Sequence, residues 1–461
     1  MHRPTPEIEE LAGEIFDYAR ERIRMDPPTL DGPRRPQELA EQVGRTITAE
    51  GLGGHRALRI FADQLAPATI SCDHPLFLAF VPAAPTEASV LFDLVVSASS
   101  IVGSTWLEAA GAVYAENEAL RWLADLAGLP DGAGGCFVSG GSAGNLSGLV
   151  AARHTAARRR EADGRERPAR WWVAAVDEAH SSVKSAARIM DAETLPVRAD
   201  ERGRLTGRAL EAALDGATVE ALDGLFGVVA TAGTTNAGVI DDLSGVADVC
   251  RDRGLWLHVD AAYGGAGLAA PSVRARYVGI ERADSLVVDP HKWMFAPFDC
   301  AALLYREPAL AAAAHTQEAS YLDEVNVAEG WSPTHYAFHL TRRVRGLPFW
   351  FSLAANGTDA YRDAVETVLT LTRDAADEIR RRPGLELAME PELSVLLFRC
   401  HGWSDADYLT WCADRLREGV AFVLPTALHG ERVMRFCFVN PQTTLEQVMG
   451  LLDSMASRPE A

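Results

Sequence analysis

The sequence lacks basic charge and long hydrophobic runs, and each absence excludes a class of partner. Lysine and arginine total 44 against 64 aspartates and glutamates among 461 residues, which gives a formal net charge of −20. Proteins that bind nucleic acids need basic surface to neutralise phosphates, so we expect no nucleic-acid partner. No apolar run is long enough to cross a bilayer, so we expect no membrane partner. The N-terminus also lacks the basic flank and apolar core of a secretory signal, which predicts a cytoplasmic location.

Cysteine is sparse and scattered. The seven cysteines form no CxxC pair, and their number is odd. This pattern is typical of reduced, buried thiols in a cytosolic protein, and it predicts neither a disulfide framework nor a metal site. The residues are Cys72, Cys136, Cys250, Cys300, Cys400, Cys412 and Cys437.

The chain is too long for one compact core, and its pattern changes twice. Residues 1–73 look helical, with two proline-rich breaks. Residues 74–345 alternate short apolar runs with helix-length stretches. Residues 346–461 begin with one long helical pattern, from about Gly346 to Arg381, and continue with two strand-like runs and further helices. We therefore predict a helical N-terminal segment, a large domain and a smaller α/β C-terminal domain.

Six apolar runs in the large domain are continuous rather than alternating. Such runs are typical of strands that are buried on both faces. Because they alternate with helices, they predict an α/β fold with a mostly parallel sheet. The runs are CFVS (136–139), WWVAAVD (171–177), FGVVATA (226–232), LWLHVDAA (255–262), SLVVD (285–289) and CAALLY (300–305).

Polar or glycine-rich groups follow five of these runs, at the point where each strand is predicted to end. Because ligands bind at the carboxyl ends of strands in open α/β sheets, we expect these groups to share one site. The groups are Gly140–Asn145, His180, Thr231–Thr235, Asp260 and Pro290–Lys292.

Four of these features have both a chemical and a plain structural interpretation. The glycine-rich turn leads into a helix whose free N–H groups attract phosphate, or it is only a tight turn. Asp260 pairs with a protonated pyridine nitrogen, or it caps a helix. In the chemical interpretation Lys292 is desolvated, which lowers its pKa and makes its amine competent for imine formation. In the structural interpretation it lies over Trp293 at the surface. His180 stacks on a ring or acts as an acid or base, or it is structural. Together they are the parts that a pyridoxal 5'-phosphate (PLP) site requires.

At these positions the sequence closely resembles the group II PLP-dependent amino acid decarboxylases of fold type I. The resemblance implies a large domain built on a mostly parallel seven-stranded sheet, PLP as cofactor, and decarboxylation of an L-amino acid to its amine and CO2. The matching motifs are HPLFLAFVP (74–82), GGSAGN (140–145), DEAHSS (177–182), ATAGTTNAG (230–238), HVDAAYGG (258–265), DSLVVDPHKW (284–293) and FDCAALLY (298–305).

The resemblance also implies a role for each motif residue. Lys292 would bind PLP covalently, and Asp260 would bind its ring nitrogen. His180 and Ala262 would pack on the two ring faces, and Thr231 would lie near the ring. The phosphate would be held by Ser142, Ala143, Asn145 and His291. The expected catalytic residues are Lys292, His180, Asp260 and Tyr321.

Tyr321 lies in a stretch that is typical of a mobile loop. Decarboxylases of this family carry a loop tyrosine here that is thought to protonate the carbanion left by CO2, whereas relatives that release aldehyde tend to have phenylalanine. Tyr321 therefore favours plain decarboxylation. In the family this loop usually covers the neighbouring subunit's site, so we expect a homodimer with active sites at the subunit interface.

The substrate pocket is expected to be apolar and aromatic. Alignment with the family places Phe80, Val81, Pro82 and Trp106 in it, which favours an aromatic amino acid such as tryptophan, tyrosine, phenylalanine or DOPA. Ser104 stands where aromatic-substrate relatives often have a bulkier residue, and Gly357 stands where a small residue leaves room for a ring.

Other substrates and functions remain open. Arg342, Arg343 and Arg345 could pair with an acidic substrate, bind the α-carboxylate or serve subunit contacts. Aliphatic amino acids, glutamate and 2,4-diaminobutyrate are alternative substrates, and an aldehyde synthase, an aminotransferase or a carbon–sulfur lyase is an alternative enzyme. A catalytically silent scaffold usually loses the lysine or the aspartate, whereas this chain keeps Lys292 and Asp260.

Overall fold

Helices form the N-terminal part of the chain. The computed structural model describes residues 5–317, 319–320 and 330–456. Thr5 caps the first helix by accepting a hydrogen bond from the backbone N–H of Ile8. A proline in the first turn of each of the first two helices loses no intrahelical hydrogen bond. The helices are α1 Pro6–Arg24, α2 Pro36–Val43, α3 Gly54–Ile60, α4 Glu87–Ala98 and α5 Trp106–Ala127.

A seven-stranded sheet forms the centre of the structure. Its strands are β1 Gly134–Val138, β2 Trp171–Val176, β3 Ala192–Val197, β4 Leu225–Thr231, β5 Trp256–Asp260, β6 Ser285–Val288 and β7 Ala301–Tyr305. The strand order is β1-β7-β6-β5-β4-β2-β3. β7 runs antiparallel to both of its neighbours, and the remaining neighbouring pairs are parallel. The predicted mostly parallel sheet is confirmed.

Helices cover both faces of this sheet, which explains the continuous apolar runs. Successive strand residues enter different apolar layers: Val228 and Leu286 pack with helices on one face, whereas Val229 and Val287 pack with helices on the other face. The connecting helices are α6 Gly141–Ala162, α7 Ser181–Ile189, α8 Gly207–Asp215, α9 Val219–Gly224, α10 Leu243–Arg253 and α11 Pro308–His315.

A smaller antiparallel sheet lies in the C-terminal part of the chain. Its strands are β8 Leu385–Met389, β9 Val395–Cys400, β10 Thr426–Leu428 and β11 Glu431–Cys437, in the order β10-β11-β9-β8. The helices of this part are α12 Leu347–Asn356, α13 Thr358–Arg380, α14 Asp405–Arg417 and α15 Leu445–Ala456. The single long helix predicted from Gly346 to Arg381 is wrong, because Gly357 adopts φ +79° and separates α12 from α13.

The segment after His74 pairs with the smaller sheet rather than with the larger one. The backbone N–H of Leu78 donates to the carbonyl of Phe422 at 2.8 Å, and the N–H of Cys437 donates to the carbonyl of Leu78 at 3.0 Å. The domain limits at residues 73 and 345 stay a prediction. Within the described ranges, no helix combines the length and apolar character that a membrane span needs.

Candidate active site

The carboxyl ends of β1, β2, β4, β5 and β6 meet around one cavity of about 330 Å³. This is the edge where parallel α/β sheets bind their ligands. All nine of the predicted cofactor residues line the cavity. The lining residues are Ser139, Gly140, Gly141, Ser142, Ala143, Asn145, His180, Thr231, Gly233, Thr235, Asp260, Ala262, Tyr263, Asp289, His291, Lys292 and Phe298.

Lys292 follows β6 and extends its amine into the cavity. Its Nζ lies 2.9 Å from Oδ2 of Asp289. Burial by itself lowers the pKa of Lys292, but the carboxylates of Asp289 and Asp260 outweigh burial, and the pKa is raised. The expectation of a lowered pKa is therefore wrong for the cofactor-free chain. The surface alternative is also wrong, because Trp293 is fully buried and stacks on Tyr263 at 5.6 Å between ring centroids.

Asp260 ends β5 with both carboxylate oxygens held. The side-chain amide of Asn145 donates to Oδ2 at 2.8 Å, and the backbone N–H of Ala262 donates to Oδ1 at 3.1 Å. These two donors keep a buried carboxylate in one orientation. The arrangement presents a fixed negative charge to whatever occupies the cavity.

Asn145 belongs to a buried network behind Asp260 that sequence reasoning missed. Its amide also donates to Oγ of Ser182 at 2.8 Å, and its Oδ1 lies 2.9 Å from Nε2 of His258. Nδ1 of His258 lies 2.7 Å from Oγ of Ser285. Burial lowers the pKa of His258 to about 4, so the ring is neutral at pH 7, with its proton on Nε2 facing Asn145. The amide of Asn145 is thus engaged at Asp260, which differs from the expected phosphate contact.

His180 and Thr231 enter the cavity from the ends of β2 and β4. The backbone N–H of Ser182 donates to Nδ1 of His180 at 3.2 Å, so the neutral ring carries its proton on Nε2. Asp241 fixes the backbone of Thr231, whose N–H donates to Oδ2 at 2.6 Å. Burial raises the pKa of Asp241 to about 7.

The glycine-rich turn is the start of α6, and its geometry suits an anion. Gly141 is the first helical residue, so its backbone N–H has no partner within the helix. In the cofactor-free chain this N–H donates to Oδ2 of Asp289 at 3.2 Å. Ser142 and Ala143 follow it in the first turn of the helix and line the cavity. His291 stands opposite, held through Nδ1 at 2.7 Å from the carbonyl of Cys300.

Phe298 is a cavity residue that sequence reasoning missed. Its ring lies 5.0 Å from that of His291, measured between centroids. It is exposed in the single chain. It begins the FDCAALLY motif, but the sequence analysis assigned it no role.

None of the residues predicted for the substrate pocket lines the cavity of the single chain. Phe80 is 60% exposed, whereas Pro82 and Ser104 are buried elsewhere. Gly357 is exposed between two helices, where its positive φ serves the helix break. These placements differ from the expectation for Phe80, Val81, Pro82, Ser104, Trp106 and Gly357. Family alignment shows which residues correspond but not which subunit they serve.

Two further expectations concern Tyr321 and metals. Tyr321 lies outside the described residues. Within residues 5–317, 319–320 and 330–456, no group of three or more His, Cys, Asp or Glu side chains is placed to hold a metal ion.

Several features of the cavity fit PLP. Oγ1 of Thr231 is buried and has no hydrogen-bond partner in the described part of the chain. A Cβ added to Gly141 would lie 3.0 Å from Oδ2 of Asp289 and 3.1 Å from Cβ of Ala262, so the missing side chain leaves space at the helix start. A lysine amine, a fixed carboxylate and the N–H groups of a helix start are the groups that PLP needs. The fold and this cavity define the class of PLP-dependent enzymes.

Comparison with known proteins identifies the family. The conserved domain of pyridoxal-dependent decarboxylases matches residues 54–401. The chain therefore belongs to this family, uses PLP and is an amino acid decarboxylase, as the sequence motifs indicated.

Similar proteins include decarboxylases of different amino acids. The aromatic-L-amino-acid decarboxylase of Bacillus atrophaeus is 31% identical over 82% of this chain and 80% of its own length. The L-2,4-diaminobutyrate decarboxylase of Rhizobium meliloti is 32% identical over 83% of this chain and 77% of its own length. The crystal structure of Oryza sativa TDC with PLP and tryptamine shares the fold, with a TM-score of 0.89, 24% identity and coverage of 99% and 98% of the two chains.

Proposed function

We propose that this decarboxylase acts on an aromatic L-amino acid and releases the corresponding amine and CO2. The main support for this substrate class is that three arginines, which could otherwise bind an acidic substrate, pair with carboxylates of the chain itself. Among the described residues that line the cavity there is no arginine, and Phe298 supplies an aromatic wall.

Each of the three arginines pairs with a carboxylate of the chain. Arg342 is buried and contacts Glu116 at 2.7 and 2.8 Å. Arg343 lies 2.8 Å from Asp93, and Arg345 lies 3.0 Å from Asp299. Freeing Arg342 would leave Glu116 charged and unpaired in the interior, at a cost of about 3 to 5 kcal/mol. These pairings disfavour glutamate as the substrate.

Diaminobutyrate is the second candidate, because a relative at 32% identity bears that name. Its second ammonium would need a free carboxylate in the pocket. Of the two carboxylates that line the cavity, Asp260 is held by Asn145 and is proposed to face the cofactor ring, and Asp289 lies at the start of α6, where the phosphate is proposed to bind. The cavity therefore favours a neutral aromatic side chain over a cationic one.

The proposed roles follow from where each side chain lies. Lys292 would carry the cofactor on its amine, and Asp260 would accept a hydrogen bond from the protonated ring nitrogen. His180, Ala262 and Thr231 would contact the ring. Ser142, Ala143 and His291 would hold the phosphate. When bound, PLP supplies an electron sink for the pair left at Cα as the carboxylate departs.

Tyr321 is proposed to deliver the proton to Cα. A positioned phenol acting as a general acid returns the hydrogen that turns the decarboxylated substrate into the amine. Delivery of this proton gives the amine, whereas relatives that release aldehyde tend to have phenylalanine at this position.

We infer a homodimer whose subunits complete each other's sites. Most of the exposed large apolar side chains in the described chain precede residue 115, and a concentration of exposed apolar side chains is typical of an interface. Five of them lie on α4 and α5, namely Leu91, Leu94, Val95, Leu107 and Tyr114. Phe80 and Trp106, which miss the cavity of their own chain, would then serve the partner's site. A cytoplasmic location is consistent with seven free thiols.

An amino acid panel tests the substrate class. The PLP-loaded enzyme would be assayed for amine and CO2 with tryptophan, tyrosine, phenylalanine, DOPA, valine, leucine, glutamate and diaminobutyrate. We expect kcat/KM for at least one aromatic member to exceed that for glutamate and diaminobutyrate by more than 100-fold. Preferential turnover of glutamate or diaminobutyrate would contradict the aromatic assignment, and aldehyde with hydrogen peroxide in place of amine would contradict the role of Tyr321.

A further inference from the structure

Asp289 places a carboxylate where an anionic group of the cofactor is expected to bind. It directly follows β6 and is almost completely buried. Its Oδ2 accepts the hydrogen bond of the Gly141 N–H at 3.2 Å and lies 2.9 Å from Nζ of Lys292. Its Oδ1 is buried and has no partner in the described part of the chain. A negative charge is the one feature of this end of the cavity that does not suit a phosphate.

The contact with Gly141 means that the carboxylate takes the place of an external anion. The start of α6 carries free N–H groups and the positive end of the helix dipole. In the cofactor-free chain, Asp289 satisfies the first of these groups. A phosphate that approaches the same N–H must displace the carboxylate or lie beside it, and like charges at such distances repel.

The contact with Lys292 acts on the amine itself. An ammonium is stabilised by a buried carboxylate at 2.9 Å, and it has no lone pair with which to attack an aldehyde. Attachment needs the neutral amine, whose nitrogen forms the C=N bond while the aldehyde oxygen leaves as water. The starting ammonium has three N–H hydrogens, of which two leave in that water and one remains on the protonated linkage.

We propose that Asp289 restrains cofactor loading by holding Lys292 as the ammonium and by occupying the Gly141 N–H until the cofactor displaces it. The inference rests on the proposed role of Lys292 as the attachment point. An asparagine would keep an acceptor for the Gly141 N–H without the charge. The proposal is therefore about the charge of residue 289 and not about the shape of its side chain.

The test compares PLP with pyridoxal, which has the aldehyde but no phosphate, on the cofactor-free enzyme and its Asp289→Asn variant. Binding would be followed by stopped-flow absorbance and by equilibrium titration. We expect Asp289→Asn to bind both aldehydes faster, and to gain in affinity for PLP on the order of tenfold more than for pyridoxal, as removal of one nearby like charge implies. Asp289→Ser is a second neutral variant, so misfolding of one variant does not decide the result.

A matched control is the exposed ion pair between Lys184 and Asp177, which also measures 2.9 Å. Asp177→Asn removes one carboxylate beside the only other lysine of the chain and should leave PLP binding unchanged. Folded neutral variants of Asp289 that bind PLP no faster and no more tightly than the wild type would overturn the proposal. Equal gains for PLP and pyridoxal would overturn the part that concerns Gly141. Failure of the Lys292 assignment would be seen separately, as a covalent PLP band that persists in Lys292→Ala.

Discussion

At the scale of single residues, the orientation of Asp260 depends on a histidine that never faces the cavity. His258 is fully buried and contacts Asn145, which in turn donates to Asp260. Burial lowers the pKa of His258 to about 4, partly offset by the charge of Asp260. Because a neutral His258 donates from Nε2, the side chain of Asn145 is locked with its amide towards Asp260. His258 is therefore a positioning residue.

This pKa predicts acid destabilisation with a defined sign. The unfolded chain protonates His258 near pH 6.5, whereas the folded chain resists protonation down to about pH 4. The stabilisation is therefore complete above pH 6.5 and is lost as the pH falls towards 4. Lowering the pH from 7 to 4.5 should reduce the free energy of unfolding of the wild type by about 2 kcal/mol more than that of His258→Gln. Urea unfolding at the two pH values measures this difference.

Glutamine is a suitable replacement because it offers a neutral donor to Asn145 and an acceptor to Ser285. The exposed His429 gives a matched control, and His429→Gln should follow the wild type. Parallel pH dependence of the wild type and His258→Gln would show that the buried ring does not carry the effect.

Residue types at strand ends could be predicted from the sequence, but their partners could not. The sequence places Asp260, His180 and Lys292 at one edge because each follows an apolar run. It does not show that Asn145 is used by Asp260, nor that Asp289 reaches both Lys292 and Gly141. The contacts Asn145–Asp260 and Gly141–Asp289 join positions more than 100 residues apart and depend on the packing of α6 against β5 and β6.

At the scale of elements, α6 sits close to the sheet because it presents glycine there. A Cβ added to Gly148 would lie 2.8 Å from the ring of His258, and one added to Gly144 would lie 2.7 Å from Val287. The close approach brings the start of α6, and Asn145 with it, to the cavity. The glycines thus link helix packing to the presentation of Asp260.

A pair of glycine-to-alanine changes tests this packing. Gly148→Ala should destabilise the fold by about 1 to 3 kcal/mol, because the new methyl group crowds a buried ring. Gly450→Ala, in α15 with open space around it, should instead stabilise the fold by about 0.4 to 1 kcal/mol through lost freedom of the unfolded chain. Chemical denaturation of both variants supplies the comparison, and stabilisation by both would contradict the close-packing account.

Elements buried on both faces were predicted well, and marginal elements were missed. β3 lies at the sheet edge, carries Pro196 and is only partly buried, so its sequence has no continuous apolar run. β8 lies at the edge of the smaller sheet, and β10 has three residues. Such strands form because they hydrogen-bond to a neighbouring strand, and the local residue pattern does not predict that pairing.

At the scale of the whole molecule, the account requires two chains. A charge placed among the exposed apolar side chains of α4 should break the proposed homodimer and lower activity. Leu94 is 48% exposed and lies between Leu91 and Val95 on that helix. We expect Leu94→Arg to sediment as a monomer with a folded circular dichroism spectrum, because burying an unpaired charge in an interface is strongly unfavourable.

Val219 supplies the matched control for this experiment. It is 85% exposed on the short helix α9, far along the chain from the apolar surface, and Val219→Arg should leave the assembly unchanged. A wild-type protein that sediments as a monomer while fully active would contradict the shared-site account.

The most direct test of the central assignment is to find which lysine carries PLP. The chain has two lysines, Lys184 and Lys292. Borohydride reduction of the PLP-loaded enzyme, followed by peptide mass spectrometry, would locate the fixed cofactor in the wild type, in Lys184→Ala and in Lys292→Ala. The account predicts a phosphopyridoxyl group on Lys292 in the first two proteins and neither the adduct nor amine production in Lys292→Ala. An adduct on Lys184, or undiminished decarboxylation by Lys292→Ala, would contradict it.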